Sequence, residues 1–340
     1  MKSMTIGLDL AKSVFQVHGV DAAGHVSVRK KLRRAEVLRF FEALPSCLVG
    51  MEACGTAHHW AREIAALGHE VRLMPPAYVK PYVRRQKNDA ADAEAICEAV
   101  TRPNMRFTPV KSVERQGVLT LHRTRELLVR QRTMLINAIR GRCAEFGIVV
   151  SQGARRVSEL IEKAREADVS TLPEDVRFVL LTLGEQLDAL AVRIHALDRR
   201  LLAWHRQDAA SQRLATIPGV GVITATALSA SVAEPAAFKS GREFAAFLGL
   251  VPRQNSSGGK ERLGGITKMG DRYLRKLLVV GATSVVRRAR GGAATASRVG
   301  DWVRALLERK PARVVTVAMA NKTARIAWAV LARGDVYHPA

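Results

Sequence analysis

Ile6-Gly7-Leu8-Asp9-Leu10-Ala11-Lys12 decides the reading of this chain. Its apolar residues predict a buried strand, and a carboxylate there is costly unless it is paired or holds a cation. A second apolar run, Cys47-Leu48-Val49-Gly50-Met51-Glu52, also ends on an acid. A third site, Asn88-Asp89-Ala90-Ala91-Asp92-Ala93, places two acids three apart in a predicted helix, on one face. Carboxylates brought together repel, and a divalent cation relieves the repulsion. Oxygen-only ligands suit Mg²⁺ or Mn²⁺ and not zinc. Asp9, Glu52, Asp89 and Asp92 are therefore expected to converge as a metal site, Asp9 and Glu52 from neighbouring strands and the other two from a docked helix. Two such ions activate a nucleophile and stabilise a leaving oxygen in phosphodiester chemistry. His58 and His59 follow Glu52 closely and are expected on a helix surface or in packing, not on a metal.

Outward from these acids, the first 110 residues alternate strands and helices. Strands are expected over 4–9, 14–20 and 26–32, with a turn at Asp21-Ala22-Ala23-Gly24. A helix near 35–43 precedes the Glu52 strand; a helix near 57–67, a strand over 69–74 and a helix through 89–100 follow. That order fits an α/β, ribonuclease H-like (RuvC-like) layer, although other α/β folds share much of it. Residues 111–208 read as helical. Leu180, Leu183, Leu187, Leu190, Ile194, Leu197 and Leu201 form a heptad seam. Leu121, Leu128 and Leu135 form a weaker one. A coiled-coil contact with a second subunit and a helical hairpin within one subunit are both open. Residues 209–340 read as a mostly α-helical third domain.

Charge points to the partner. The chain has 340 residues, enough for two or three domains, and a formal net charge of +23. From Ser240 onward there are 19 Lys and Arg against 6 Asp and Glu, a net +13. Such an excess favours a polyanion through phosphate neutralisation and counterion release. Aromatics are only 5%, so backbone and shape contacts should outweigh base stacking. Arg84, Arg85 and Lys87 precede the paired aspartates and are expected to guide a nucleic-acid backbone. The four cysteines form no CxxC pair and read as reduced thiols. A strand in place of a secretory signal, and no apolar run near the roughly 18 residues of a membrane span, lead to a cytoplasmic expectation.

Two glycine-rich stretches lie in the last part. Ile217-Pro218-Gly219-Val220-Gly221 before a helix is the pattern of a helix-hairpin-helix, in which Gly219 and Gly221 allow a tight turn and the next helix offers N–H groups to a phosphate. An ordinary packing corner has the same pattern. The stretch 250–265 carries Arg253, Ser256, Ser257, Gly258, Gly259, Lys260 and Arg262. It reads as a loop between helices that either cradles a phosphate or presents a nucleophilic serine.

With these residues in view, the chain resembles the DEDD insertion-sequence transposases of the IS110 family and its IS1111 subgroup, the bridge-RNA-guided recombinases. The resemblance rests on Gly7-Leu8-Asp9-Leu10-Ala11-Lys12, Met51-Glu52-Ala53-Cys54-Gly55-Thr56 and Lys87-Asn88-Asp89-Ala90-Ala91-Asp92-Ala93 in the first part. In the last part it rests on Ile217–Gly221, Phe247–Pro252, Ser257-Gly258-Gly259-Lys260 and Thr267-Lys268-Met269-Gly270-Asp271. It implies an Mg²⁺-binding tetrad of Asp9, Glu52, Asp89 and Asp92, and Ser257 as a nucleophile that becomes linked to DNA, with Ser256 adjacent. It further implies strand exchange through a junction, a structured guide RNA, and a dimer to tetramer whose active site is shared between subunits. Lys268 joins the expected nucleic-acid contacts. A metal-only nuclease or junction resolvase is the competing reading, and a non-catalytic nucleic-acid binder a third.

Overall fold

The computed structural model describes residues 4–83, 88–151, 153–165, 172–291 and 298–338. The chain divides into two compact units, Met1–Ser112 and Val113–Ala340.

The first unit runs β1 (Thr5–Asp9), β2 (Val14–Val20), β3 (Val26–Arg33), α1 (Val37–Glu42), β4 (Leu48–Glu52), α2 (Ala57–Ala66), β5 (Glu70–Met74), α3 (Pro76–Val79) and α4 (Asp89–Val100). The sheet order is β3-β2-β1-β4-β5, with β1, β2 and β3 antiparallel and β4 and β5 parallel to β1. This is the arrangement expected of a ribonuclease H-like layer. Strand pleating sorts the side chains, because alternate residues face opposite sides. Ile6, Leu8, Phe15, Val17, Leu32, Val49 and Met51 face one way and form a core with Val37 and Phe41 of α1 and Trp60 and Ile64 of α2. The other face takes α4. There Met74, Val79, Ala95, Ile96, Ala99 and Val100 form a smaller core, with Leu48 of β4 packed against it.

The second unit runs α5 (Val113–Ala144), α6 (Ala154–Arg165), α7 (Glu174–Gln207), α8 (Ala209–Ala215), α9 (Val222–Ser231), α10 (Gly241–Phe247), β6 (Pro252–Gln254), β7 (Leu263–Ile266), α11 (Arg272–Arg290), α12 (Arg298–Leu307) and α13 (Ala312–Arg333). The heptad seam of α7 packs against α5 of the same chain. Leu180, Leu183 and Leu187 meet Ile139 and Cys143, and Leu201 meets Val118, so the two long helices run antiparallel. The hairpin is thus the arrangement found, of the two open to the sequence. Ile161 of α6 covers Gly184 of α7, where even a methyl group would come within 2.6 Å. An Arg125–Asp198 ion pair ties the hairpin midway.

His122 fixes α5 to the following helices. Its Nδ1 lies 3.0 Å from the Tyr273 hydroxyl and its Nε2 3.0 Å from Thr226 Oγ1. Thr226 donates to Val222 O, so Nε2 is the donor to Thr226 and Nδ1 accepts from Tyr273. This donor–acceptor arrangement is that of a neutral imidazole. Burial pushes the His122 pKa down to about 4, helped by Arg125 and opposed by Asp198.

Among the described residues, α13 is one helix long and apolar enough on average to cross a membrane. Reading unbroken runs misses it, because Asn321, Lys322 and Arg325 interrupt the apolar sequence. Val315, Met319, Ala320, Ala324, Ala327 and Val330 of α13 are buried in the largest core, with Leu274 and Leu278 of α11 and Phe244 of α10.

Candidate active site

Gly7 pairs with Gly50 across β1 and β4. Both face α4, and both make room for it. A methyl group on Gly7 would lie 2.1 Å from Ala93 O and 2.4 Å from Cys97 N; one on Gly50 would lie 2.8 Å from Val100 Cβ. α4 therefore lies on the bare backbone of two adjacent strands. Its orientation is set by Cys97, which donates from Sγ to Thr5 O, and by Asn88, whose side chain accepts from Ala91 N and caps the first turn. The capped end carries Asp89 and Asp92, where the helix dipole favours acids.

Two residues beyond each glycine stands an acid on the same sheet face: Asp9 at the end of β1 and Glu52 at the end of β4. Asp9, Asp89 and Asp92 converge, each offering an oxygen within 4.8 Å of the others. Asp9 and Asp92 are half-buried and Asp89 is exposed. Three carboxylates at this spacing repel unless a cation sits among them, and their hard oxygen donors fit Mg²⁺ or Mn²⁺. Glu52 is also half-buried, but its carboxylate lies outside that group of three. The expected fourfold convergence is thus three acids together and a fourth at the neighbouring strand end.

The repeated Gly-x-acid spacing, Gly7-Leu8-Asp9 and Gly50-Met51-Glu52, is the signal that was legible but unread in the sequence. A glycine inside an apolar strand marks close backbone approach. Two of them in register mark a crossing helix.

His58 and His59 serve packing and surface contacts. His58 Nδ1 accepts from Lys111 N at 3.2 Å, and His59 lies 3.7 Å from Glu63. Arg84, Arg85 and Lys87 lie outside the described residues.

The serine stretch is a β-hairpin and not a loop between helices. β6 and β7 pair antiparallel, and Ser257 bridges to Lys260 across the turn. Gly258 and Gly259 have φ of 56° and 76°, the left-handed pair that a type I′ hairpin turn demands. The base of the hairpin is tied to the preceding turn: Thr267 N donates to Val251 O and Lys268 N to Gly249 O. Arg275 of α11 donates to both Leu248 O and Met269 O. These bonds join the two sequence blocks, 247–252 and 267–271, into one platform. On the hairpin the two serines differ. Ser256 Oγ accepts from Arg262 N at 3.2 Å, whereas no hydrogen bond to the Ser257 hydroxyl is made among the described residues. Ser257, Arg253, Lys260, Arg262 and Lys268 are all exposed.

The Gly219–Gly221 turn lies between α8 and α9. Gly219 has φ 84° and is pressed against α11: a methyl group on Gly281 would lie 2.0 Å from Gly219 O. Ile217 and Val220 are buried. Gly219 therefore has a packing role. Gly221 is exposed and precedes the first turn of α9, with open space around it.

Residues 6–145 match the DEDD transposase model of the IS110 group, and residues 211–297 match the model described as "Transposase IS116/IS110/IS902 family". The chain is 51% identical over 340 residues to the "Probable family 20 transposase" of Pseudomonas aeruginosa, covering all of both proteins. It is 40% identical to the transposase for insertion sequence element IS1328 of Yersinia enterocolitica, covering 98% of each chain. It is also 40% identical to the transposase for insertion sequence element IS1111A of Coxiella burnetii, covering 99% of this chain and 92% of that one.

Proposed function

The chain belongs to the IS116/IS110/IS902 family of insertion-sequence transposases, and on that premise we propose that it cuts and rejoins DNA with Asp9, Glu52, Asp89 and Asp92 as cation ligands and Ser257 as nucleophile. The observation that carries this reading is the convergence of Asp9, Asp89 and Asp92 oxygens within 4.8 Å beside the Glu52 strand end.

A divalent cation bound by these acids supplies Lewis-acid polarisation of a phosphodiester and shields charge on the leaving oxygen. The protein's own contribution is placement. β1 and α4 hold three carboxylates on a scaffold that cannot slide, because α4 rests on strand backbone. Glu52, at the neighbouring strand end, would complete the ligand set. Ser257 Oγ displaces a sugar oxygen from a DNA phosphorus and becomes esterified to it, and the displaced oxygen takes up a proton. The free hydroxyl of Ser257 and the committed hydroxyl of Ser256 favour Ser257 for that role. Arg253, Lys260, Arg262 and Lys268 flank the hydroxyl with positive charge and hold the phosphates on either side. Arg84, Arg85 and Lys87 are assigned to the DNA backbone near the acids, and Gly221 to a phosphate at the start of α9.

The partners in this reading are the element's DNA ends, target DNA and a structured RNA that supplies sequence choice by base pairing. Acids and serine of one active site come from different copies of the chain in a dimer or tetramer, working on the bacterial nucleoid. The +23 charge and the 5% aromatic content support a protein that grips backbones and leaves base reading to the RNA.

The test combines full-length protein, Mg²⁺, RNA transcribed from the element, and DNA carrying the element's ends. Denaturing gels should show protein covalently attached to DNA, lost in Ser257→Ala and in Asp9→Asn. Cutting without attachment, unchanged in Ser257→Ala, would establish the metal-only nuclease instead.

A further inference from the structure

The antiparallel edge of the first unit carries a row of cations that faces the acidic group. In β3 the pleat puts Arg29, Lys31 and Arg33 on the α4 side of the sheet. Lys30 and Leu32 point the other way, Lys30 to 5.7 Å from the Phe40 ring and Leu32 into the core with α1 and α2. The register carries two of the cations straight toward the site. Lys31 pairs with Gln16, and Gln16 pairs with Asp9. Arg29 pairs with His18, and His18 pairs with Gly7, on which α4 rests. At a strand spacing of about 4.8 Å, Lys31 and Asp9 are about 10 Å apart in backbone, within reach of a flexible lysine on an adjoining phosphate.

A groove of about 340 Å³ runs between this row and the start of α4, with Gln16, His18, Arg29, Lys31, Asn88 and Glu94 among its walls. Its charge is positive. Glu94 is the acid among those walls, and it sits 3.8 Å from Arg29 in a partly exposed pair that water screens in part. Lys31 and Arg33 make no ion pair among the described residues. His18 adds no charge, because burial lowers its pKa, with Arg29 acting in the same direction and Glu94 against it. Cations on an edge strand also guard against strand-to-strand aggregation. That role does not require three of them on one face, repeating every second residue at about 6.7 Å, a repeat close to that of an extended sugar-phosphate backbone.

We propose that Arg29, Lys31 and Arg33 form a phosphate track that leads a DNA strand across the sheet edge to the Asp9–Asp89–Asp92 group. These are positioning residues: they hold phosphates next to the one that reacts. The inference rests on the active-site reading above for its direction, and on charge and register for its existence.

The test measures binding of full-length protein to element-end DNA by fluorescence anisotropy across a KCl series. Replacing Arg29, Lys31 and Arg33 together by Gln should weaken DNA binding at least tenfold near physiological salt. It should also flatten the log–log salt slope by about 2 to 3, at roughly 0.9 per lost phosphate contact. Lys31→Gln alone, which keeps the fold if the triple variant does not, should flatten it by about 0.9. Arg39→Gln, an exposed cation on α1 across the sheet, should leave the slope unchanged. An unchanged slope in both track variants overturns the proposal. A loss confined to binding of the element's RNA overturns it too, and gives the row to RNA. Asp9→Asn run in parallel separates the two readings: it should abolish cutting and keep DNA binding. Cutting retained in Asp9→Asn sinks the active-site reading, while the salt slopes still decide the track.

Discussion

Asp9 stands at the end of a strand whose Ile6 and Leu8 are wholly buried, whereas Ser257 stands in a hairpin exposed from Pro252 to Gly265. The acids are positioned by a core: two strands, a helix seated on Gly7 and Gly50, and a capping asparagine. The serine is positioned by turn geometry, a short ladder and a platform of backbone hydrogen bonds at the hairpin's base. Three converging carboxylates, the proposed cation ligands, have to keep their spacing against mutual repulsion, so rigidity serves them. In the proposed reaction Ser257 has to reach a phosphorus on a bulky polyanion, and projection and access serve that role. The contrast implies that damage near the acids costs stability and function together, while damage at the hairpin costs function alone.

The sharpest way to break that contrast is Gly7→Ala. Its methyl group meets Ala93 O and Cys97 N, and the overpacking should destabilise the first unit by about 3 kcal/mol. Chemical denaturation of the full chain would register this as a lower midpoint, and a midpoint at the wild-type value would mean that α4 does not depend on bare strand backbone. Next in size is acid sensitivity of the second unit. His122 has its pKa lowered from 6.5 to about 4, so the folded state resists a proton that the unfolded chain accepts. Its contribution is complete above pH 6.5 and is lost as pH falls toward 4, by up to about 3 kcal/mol. The melting midpoint should fall more steeply with decreasing pH over that window in wild type than in His122→Gln. A smaller effect belongs to Gly259→Ala in the turn. Its φ of 76° costs a side chain about 1 kcal/mol, felt in the hairpin, so global melting should barely move while DNA attachment slows. Smallest in stability is Ser257→Ala, within about 0.5 kcal/mol because the side chain is exposed. In activity it should be complete, with no protein–DNA adduct on denaturing gels.

Much of the first unit was legible because its elements report on burial. Short apolar runs such as Leu48–Met51 between turn signals read as strands in a two-sided layer, and their order fitted the sheet found. Asp9, Glu52, Asp89 and Asp92 stood out as acids where acids are costly or clustered, though the sequence did not show that Glu52 would lie apart from the other three. The hairpin was misread as a loop because its strands face water on both sides, so no alternation marked them. Type I′ geometry at Gly258 and Gly259 was its one local trace. The seam from Leu180 to Leu201 announced a partner without naming it, since leucines at heptad spacing fit a neighbouring helix of the same or another chain equally well. Gly219 matched a phosphate-binding turn, but its neighbour proved to be Gly281, some sixty residues further along the chain.

Local chemistry in the sequence thus determined which residues are acidic in apolar settings, where strands and long helices run, and that a polyanion is the partner, because burial preference and net charge are properties of composition and spacing. Only the tertiary structure decided which acids meet, that α5 takes up the seam of α7, and that Arg29, Lys31 and Arg33 share a face with Asp9. Those facts depend on strand register and helix docking. Both are set by steric fit between segments distant in the chain, down to the missing methyl groups of Gly7 and Gly50.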